Sequence, residues 1–393
     1  MLVKFTFKNF RSFFDEQHLS MEASHDDSMQ DSVNTKCQAL VPQSAGILKS
    51  AAVFGSTASG KTNVLKALDY MKRVVQISGS RVQIARQNEP FAFLEGAENM
   101  DSHYEAEFIE NGTYYRYGFV IRSGEIVKEW LFRRAERLTP VFSRDEYSLK
   151  ISGLSKNAAR LLSPSSSTLF LTVASSLNLE VNREIQDVLS WFSNLIVSFS
   201  PRQDDLIIYT EKDEYLKEAL AVLSLAGCGI DSLSLIQDGS YIDIETGHKI
   251  FNSAGAVSKI RKSRLFQDRQ LYSDGTVGLI CDLALILHAL DTGAVLCIND
   301  FSSMMNIFLA SHLISLFSSE SRNERSAQLI LTGGISPLTD KAFRRDQIYL
   351  TTKDEQHRSH LVRLSGIPGV RKSDNYEKKL LESALSSAGG IIA

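Results

Sequence analysis

Hydrophobic and polar residues alternate at the front of the chain: Val3, Phe5 and Phe7 interleave with Lys4, Thr6 and Lys8. That period of two predicts a half-buried strand. The apolar run ILKSAAVFG (47–55) predicts another strand, leading directly into a loop of small residues. Past the loop, Val64, Leu65, Leu68 and Met71 recur at three and four, the spacing of a helix with one apolar face. From about 103 to 143 come short runs rich in Tyr, Phe, Val and Ile, broken by the turn signals ENG and RSGE. This pattern predicts an antiparallel meander.

The stretch ISGLSKNAARLLSPSSST (151–168) is rich in Ser, Pro and Gly and marks a boundary. Residues 167–240 read as mainly helical, because NREIQDVLSWFSNLIVSF and EYLKEALAVLSLAGCGI both repeat apolar residues at three and four. Residues 240–270 are mixed and basic. After them a helix (GTVGLICDLALILHALDTG), a buried strand (AVLCIND), a helix (FLASHLISLFSSE), a buried strand (SAQLILTGG) and the strands DQIYLTTKD and HLVRLSG follow in turn. Short Val/Ile/Leu runs alternating with helices predict an α/β fold whose largely parallel sheet is covered on both faces.

Composition changes this picture little. The chain has 393 residues, 43% hydrophobic and 23% charged, with a formal charge of −3, so two domains or one domain with a large insertion are expected. No run approaches the roughly 18 uninterrupted apolar residues of a membrane span. The start, MLVKFTFKNFRSFF, lacks a hydrophobic signal core, and a cytosolic location is expected. Cys37, Cys228, Cys281 and Cys297 are isolated, and the last two sit in apolar runs as buried free thiols.

The chemistry concentrates in the loop. Gly55, Ser56, Thr57, Ala58, Ser59, Gly60, Lys61 and Thr62 fit G-x-x-x-x-G-K-[ST], with Asn63 next in the helix. Glycines let successive N–H groups converge on phosphate oxygens, and the helix adds its positive end. Lys61 then reaches the terminal phosphates of ATP, and the Thr62 hydroxyl joins a magnesium ion. An apolar strand before the loop and an apolar-faced helix after it are the context this motif requires.

Further motifs occur in a fixed order: FKNFRSF, GSTASGKTNVLKAL, YRYGF, SDGT, AVLCIND, AQLILTGG, RRDQIYLTTKD and GVRKSDNYEKK. Over residues 1–380 the chain resembles the AAA15-type ATPases of the ABC/SMC/OLD-like group, many of which occur in bacterial abortive-infection (phage-defence) operons. The resemblance implies an ABC-type P-loop ATPase head with an antiparallel β-lobe, interrupted by a helical arm. Its parts would be residues 1–150 and 266–393 as head and 151–265 as arm. It also implies that nucleotide is held between two protomers. The matching signature is Ser273-Asp274-Gly275-Thr276, where Ser273 and Gly275 would meet the partner's nucleotide; such a tetrapeptide is also an ordinary helix cap. Gln87 and Glu89, in QNEPFAF, stand where such proteins keep a glutamine that senses the γ-phosphate, or in an ordinary connection.

The chain departs from that family at the hydrolytic residues. Asp-Glu is usual at the end of the strand AVLCIND; here Asn299 and Asp300 stand there. Asn299 can accept from a metal-bound water but carries no charge, and Asp300 is one methylene shorter than the usual base. Ser302, Met305 and Asn306 replace an Asp and a Leu-His pair, Gly334 replaces a His, and Ser56 and Thr57 replace Pro and Asn. The Tyr- and Gly-rich tail is missing from LLESALSSAGGIIA. The expectation is ATP and Mg²⁺ binding with slow or absent hydrolysis, in a dimer whose opening and closing restrains a separate nuclease or toxin. Alternatives are a pseudo-ATPase scaffold and a RecF/SMC-like DNA-repair ATPase.

Other chemistry is sparse. The eight histidines are scattered, and His288 and His312 fall in apolar helices as structural side chains. Ser59 and Ser273 lack a His–Asp set. Lys259, Arg261, Lys262 and Arg264 form a basic run, either a solvated face or a contact for DNA, RNA or an acidic partner. Arg344, Arg345 and Asp346 match a family motif, or simply fix a strand end.

Overall fold

The computed structural model describes residues 1–26, 28–78, 84–134, 137–162, 164–177, 179–239, 241–301, 307–334, 342–371 and 374–379. The chain opens with β1 (Leu2–Lys8) and β2 (Gln17–Ser20), then the two-residue pair β3 (Val33–Asn34) and β4 (Ile47–Leu48). β5 (Ser50–Gly55) runs into α1 (Lys61–Ile77). The meander is β6 (Ser102–Glu110), β7 (Thr113–Arg122), β8 (Glu125–Arg134), β9 (Leu138–Arg144) and β10 (Leu149–Ile151). Next come α2 (Lys156–Leu161), α3 (Phe170–Ala174), α4 (Asn182–Ser193), β11 (Leu195–Ser198), α5 (Asp213–Leu225), β12 (Ser232–Asp238), β13 (Tyr241–Phe251) and β14 (Val257–Arg264). The chain finishes with α6 (Asp274–Thr292), β15 (Val295–Ile298), α7 (Ile307–Ser318), β16 (Gln328–Gly333), β17 (Ile348–Lys353) and β18 (Ser359–Arg363).

Among the described residues the strands form a seven-stranded sheet in the order β10-β9-β8-β7-β6-β1-β2 and a six-stranded sheet in the order β11-β15-β16-β5-β17-β18. The first is antiparallel throughout; in the second all pairs are parallel except β17–β18. A third sheet, β12-β13-β14, is antiparallel.

The six-stranded sheet separates two cores, and the strand period of two sorts its side chains between them. Ala51 and Val53 of β5, Val295 and Cys297 of β15, Ile330 and Tyr349 face a core shared with α1, α3, α4 and the seven-stranded sheet. Ala52, Phe54, Leu296, Ile298, Leu329, Leu331, Ile348 and Leu350 face a second core built with α5, α6 and α7. Burial on both faces is why these strands read as unbroken apolar runs. Val64, Leu65, Leu68 and Met71 are buried, as their spacing predicts. Cys281 and Cys297 are buried and free, and burial pushes the Cys297 thiol up to about 12.

Two expectations need correction. Among the described residues, 151–265 are not helical throughout. Phe170, Leu171, Ile185, Val188, Trp191 and Phe192 pack into the first core, and β12–β14 are strands. The helix read through residues 182–199 stops at Ser193, because Leu195–Ser198 pair in parallel with Val295–Ile298. Ladder hydrogen bonds and the buried Leu195 override the helical spacing there. The helix expected over GTVGLICDLALILHALDTG is α6, which by length and composition could also cross a membrane. Val277, Ile280, Leu283, Ala284 and Leu287 instead lie buried in the second core.

Candidate functional site

The loop between β5 and α1 is shaped by two glycines. A Cβ on Gly55 would stand 2.3 Å from the Thr351 Oγ1 and 2.6 Å from the Ser59 Oγ. Gly60 adopts φ +114°, a conformation side-chain-bearing residues rarely take, and a Cβ there would meet the Ser359 Oγ at 2.7 Å. Between them Ser56, Thr57 and Ala58 are exposed and Ser59 is buried. The neighbouring strands hold the loop from below. Ser59 and Thr351 share a 2.6 Å hydroxyl contact, and Ser359 Oγ donates to the Ser59 carbonyl at 2.7 Å. Asn63 Nδ2 donates to Ser12 Oγ at 2.8 Å, tying the start of α1 to the FRSF turn.

Lys61 Nζ lies over this loop, donating to the carbonyls of Gly55 at 3.0 Å and Ser56 at 2.9 Å. Partial burial lowers its pKa, against the opposing pull of the Asp300 carboxylate. The loop therefore presents a cation and exposed backbone at a helix start, which is an anion-binding arrangement.

The end of β15 meets the loop through Thr62. Thr62 Oγ1 donates to the Asn299 Oδ1 at 2.8 Å, and Thr332 Oγ1, from β16, donates to the same oxygen at 3.0 Å. The Asp300 N–H donates to the Thr332 Oγ1 at 3.0 Å, and the Asn299 Nδ2 donates to the Asp300 Oδ2 at 3.3 Å. Asn299 N–H continues the ladder to the Ser198 carbonyl at 2.9 Å. Asp300 itself is exposed, at φ +54°. Asn299, not Asp300, is thus the residue in register with Thr62; Phe301 is buried. A carboxylate at 299 could accept the same two hydroxyls, so the geometry of this corner survives while its negative charge is absent.

The remaining expected residues are dispersed. Ser273 caps α6, accepting from the Thr276 N–H at 3.1 Å, and Asp274 pairs with Arg269 at 2.7 Å; Ser273 is exposed and Gly275 partly so. Gln87 is exposed and accepts from Arg73 Nη2 at 2.8 Å, while Glu89 pairs with Arg11 at 2.6 Å. At Gly334, past the end of β16, an added Cβ would meet nothing within 4 Å. Ser302, Met305 and Asn306, and residues 380–393 of the tail, lie outside the described residues. His288 contacts Glu211 at 2.7 Å, whereas His312 is exposed on α7. Arg344 and Asp346 form a buried pair at 2.9 Å ahead of β17, which also binds Ser24.

Sequence reasoning missed Ser12, Thr332, Thr351 and Ser359. Ser12 sits inside the quoted FKNFRSF, so its motif was visible although its partner was not. Thr351 likewise lies inside the quoted RRDQIYLTTKD, whereas Ser359 carries no local signal; both act on the loop from about 300 positions away, across the β5–β17–β18 pairings.

Residues 50–332 match a protein-family model described as "AAA domain, putative AbiEii toxin, Type IV TA system". The match spans more than half of the chain, and the chain belongs to that family. It carries a P-loop, AAA-type ATPase domain of a kind associated with toxin–antitoxin systems and abortive infection. No curated protein matches the chain.

Proposed function

We propose that this member of the family is an ABC-type, AAA15-like subunit of a cytosolic anti-phage system. It binds ATP with Mg²⁺ at Gly55–Asn63, hydrolyses it slowly or not at all, and serves as a nucleotide-gated dimeric switch over a separate effector. The observation that carries this reading is the Thr62–Asn299 hydrogen bond at 2.8 Å, which puts an amide where charge would be needed.

The residues present fit the nucleotide. Gly55 and Gly60 let the loop close against Thr351 and Ser359, where a Cβ would clash, Lys61 supplies a cation, and α1 opens at the loop. They fit a magnesium ion less completely. The Thr62 hydroxyl gives its proton to Asn299 and so keeps lone pairs free for a metal, but both groups are neutral. A magnesium ion held through Thr62 would supply positive charge against that of the phosphates. The only carboxylate in the Asn299–Phe301 corner is Asp300, one methylene shorter than a glutamate. Positioned water and charge stabilisation are each worth orders of magnitude in phosphoryl transfer. Binding without ready turnover follows from keeping the loop and losing those groups.

The dimeric part of the reading rests on Ser273 and Gly275 at the start of α6, where an exposed hydroxyl and the first turn of the helix can face a second molecule's phosphate. The AAA15-like assignment is supported by YRYGF, which lies in β7, and RRDQIYLTTKD, which leads into β17.

The test measures ATP binding by calorimetry and steady-state turnover on the same protein, beside Asn299→Asp/Asp300→Glu. Tight binding with negligible turnover, raised by the double substitution, is expected. Ready turnover in the unsubstituted protein would overturn the reading.

A further inference from the structure

The basic run lies on β14, at the edge of the β12-β13-β14 sheet. β12 pairs with β13 only from Tyr241 to Gly247; beyond Gly247 the ladder partner of β13 is β14 alone. The hairpin therefore projects as a two-stranded ribbon, with residues 251–262 all exposed. Its tip is narrow and closed. Asn252 accepts, through its side-chain oxygen, from the N–H groups of Ala254 and Ala256 at 3.0 Å, and its own N–H donates to the Ala256 carbonyl.

From Thr246 to Gln267 the sequence has no Asp or Glu but contains Lys249, Lys259, Arg261, Lys262 and Arg264, in a chain whose net charge is −3. Lys249 pairs with Asp231 at 3.0 Å and Lys262 with Glu245 at 2.7 Å. Lys259 and Arg261 reach no carboxylate among the described residues. The register puts Lys259 and Arg261 on one face of the ribbon, opposite Ile250 and His248, and Lys262 and Lys249 on the other, opposite Gly247 and Ile260.

We propose that the β13–β14 hairpin is an arm that binds in the major groove of duplex DNA. Lys259 and Arg261, side by side on one face, suit a phosphate wall, and Lys262, exposed on the other beside Glu245, can reach the second. A groove about 12 Å wide and 8.5 Å deep admits a two-stranded ribbon, and three residues of strand reach about 10 Å. Phe251, Val257 and Ile260 are more than half or half exposed (60%, 50% and 56%) and supply the apolar contact that thymine methyls offer. The deep, narrow major groove of duplex RNA excludes the arm. An acidic protein surface is the alternative that the polyglutamate comparison below separates from DNA. Pairing of β14 with a second copy of itself would bring like charges together.

The test is fluorescence anisotropy of a labelled mixed-sequence DNA duplex across a salt series, without nucleotide, so that its failure leaves the ATP reading untouched. The comparison is Lys259→Ala/Arg261→Ala, with Lys150→Ala, an exposed cation on β10, as control. The unsubstituted protein should bind duplex DNA, and the double substitution should weaken binding about tenfold or more at 100 mM salt. It should also flatten the log–log salt slope by about 2, while Lys150→Ala changes neither. Both side chains are exposed, and an unchanged melting temperature will show that the variant is folded. Absence of duplex binding at low salt, binding indifferent to the double substitution, or equal or tighter binding of single-stranded DNA, duplex RNA or polyglutamate would each overturn the proposal.

Discussion

Thr62 and Asn299 lie 237 positions apart, and the Thr62 hydroxyl donates to the Asn299 side-chain oxygen at 2.8 Å. The oxygen also accepts from Thr332, so two hydroxyls hold the amide in one orientation. Because a carboxylate oxygen accepts equally well, Asn299→Asp preserves these bonds and adds a negative charge beside Thr62. We expect the substitution to increase the gain in ATP affinity that Mg²⁺ brings over EDTA, and to raise turnover by about tenfold or more. Calorimetry in the two buffers, with a steady-state phosphate assay, checks both. An Asn299→Asp protein whose affinity ignores Mg²⁺ would contradict the placement of the metal at this corner.

Gly60→Ala forces a Cβ into a φ of +114°, within 2.7 Å of the Ser359 Oγ and 3.0 Å of the Ser12 Oγ. Strain of this kind costs about 1–3 kcal/mol, and the loop should lose ATP affinity with it. Gly334→Ala is the counterpart, since its Cβ meets nothing within 4 Å, and should stay within about 0.5 kcal/mol of the parent. Chemical denaturation of the two variants gives the comparison; equal midpoints would remove the steric argument.

Arg344 and Asp346 are both buried and paired at 2.9 Å. Burial alone would raise the Asp346 pKa, but hydrogen bonds from Arg344 and Ser24 hold it below the usual range. A carboxyl held low in the fold adds stability above its unfolded pKa of about 3.9, and that share is lost as pH falls through the folded value. Asp346→Asn should therefore be less stable at pH 7, with a flatter stability curve below about pH 4. Arg344→Ala, which strands the carboxylate, should cost about 3–5 kcal/mol at pH 7. Parallel acid-denaturation curves for parent and Asp346→Asn would show that the pair is not coupled to folding.

Asp282, on α6, behaves in the opposite sense. Burial raises its pKa, the neighbouring Asp205 charge raises it further, and it stands at about 7. Its folded value lies above the unfolded one, so its contribution is complete below about pH 4 and is lost as pH rises through about 7. Asp282→Asn, which resembles the protonated acid, should gain in stability relative to the parent from pH 4 to pH 8. Melting temperatures across that range test this; a constant offset would mean that Asp282 does not titrate there.

Much of the fold was legible in the sequence because its signals are local. A strand buried on both faces must be apolar throughout, as in SAAVFG and QLILTG, and a helix covering a sheet must repeat at three and four, as α1 does. The phosphate loop was legible for the same reason: the glycines, the lysine and the threonine it needs are consecutive. The reading failed at Leu195–Ser198, where spacing alone favoured a longer helix. There a partner strand 100 residues away supplied hydrogen bonds that no local pattern encodes.

The sequence by itself determined which elements form along most of the chain, that a phosphate loop joins the fifth strand to the first helix, and that Asn299 and Asp300 replace acids at the end of an apolar strand. Helix and strand periodicity and loop chemistry act over a few neighbouring residues, so a linear reading reaches them. Only the tertiary structure decided that Phe170, Leu171, Ile185, Trp191 and Leu195 pack into the first core and that Asn299 rather than Asp300 meets Thr62. It also decided that Thr351 and Ser359 brace the loop and that the basic run stands on a projecting two-stranded ribbon. Those outcomes depend on which strands become neighbours, and strand pairing is set by the cores that the whole chain must bury together.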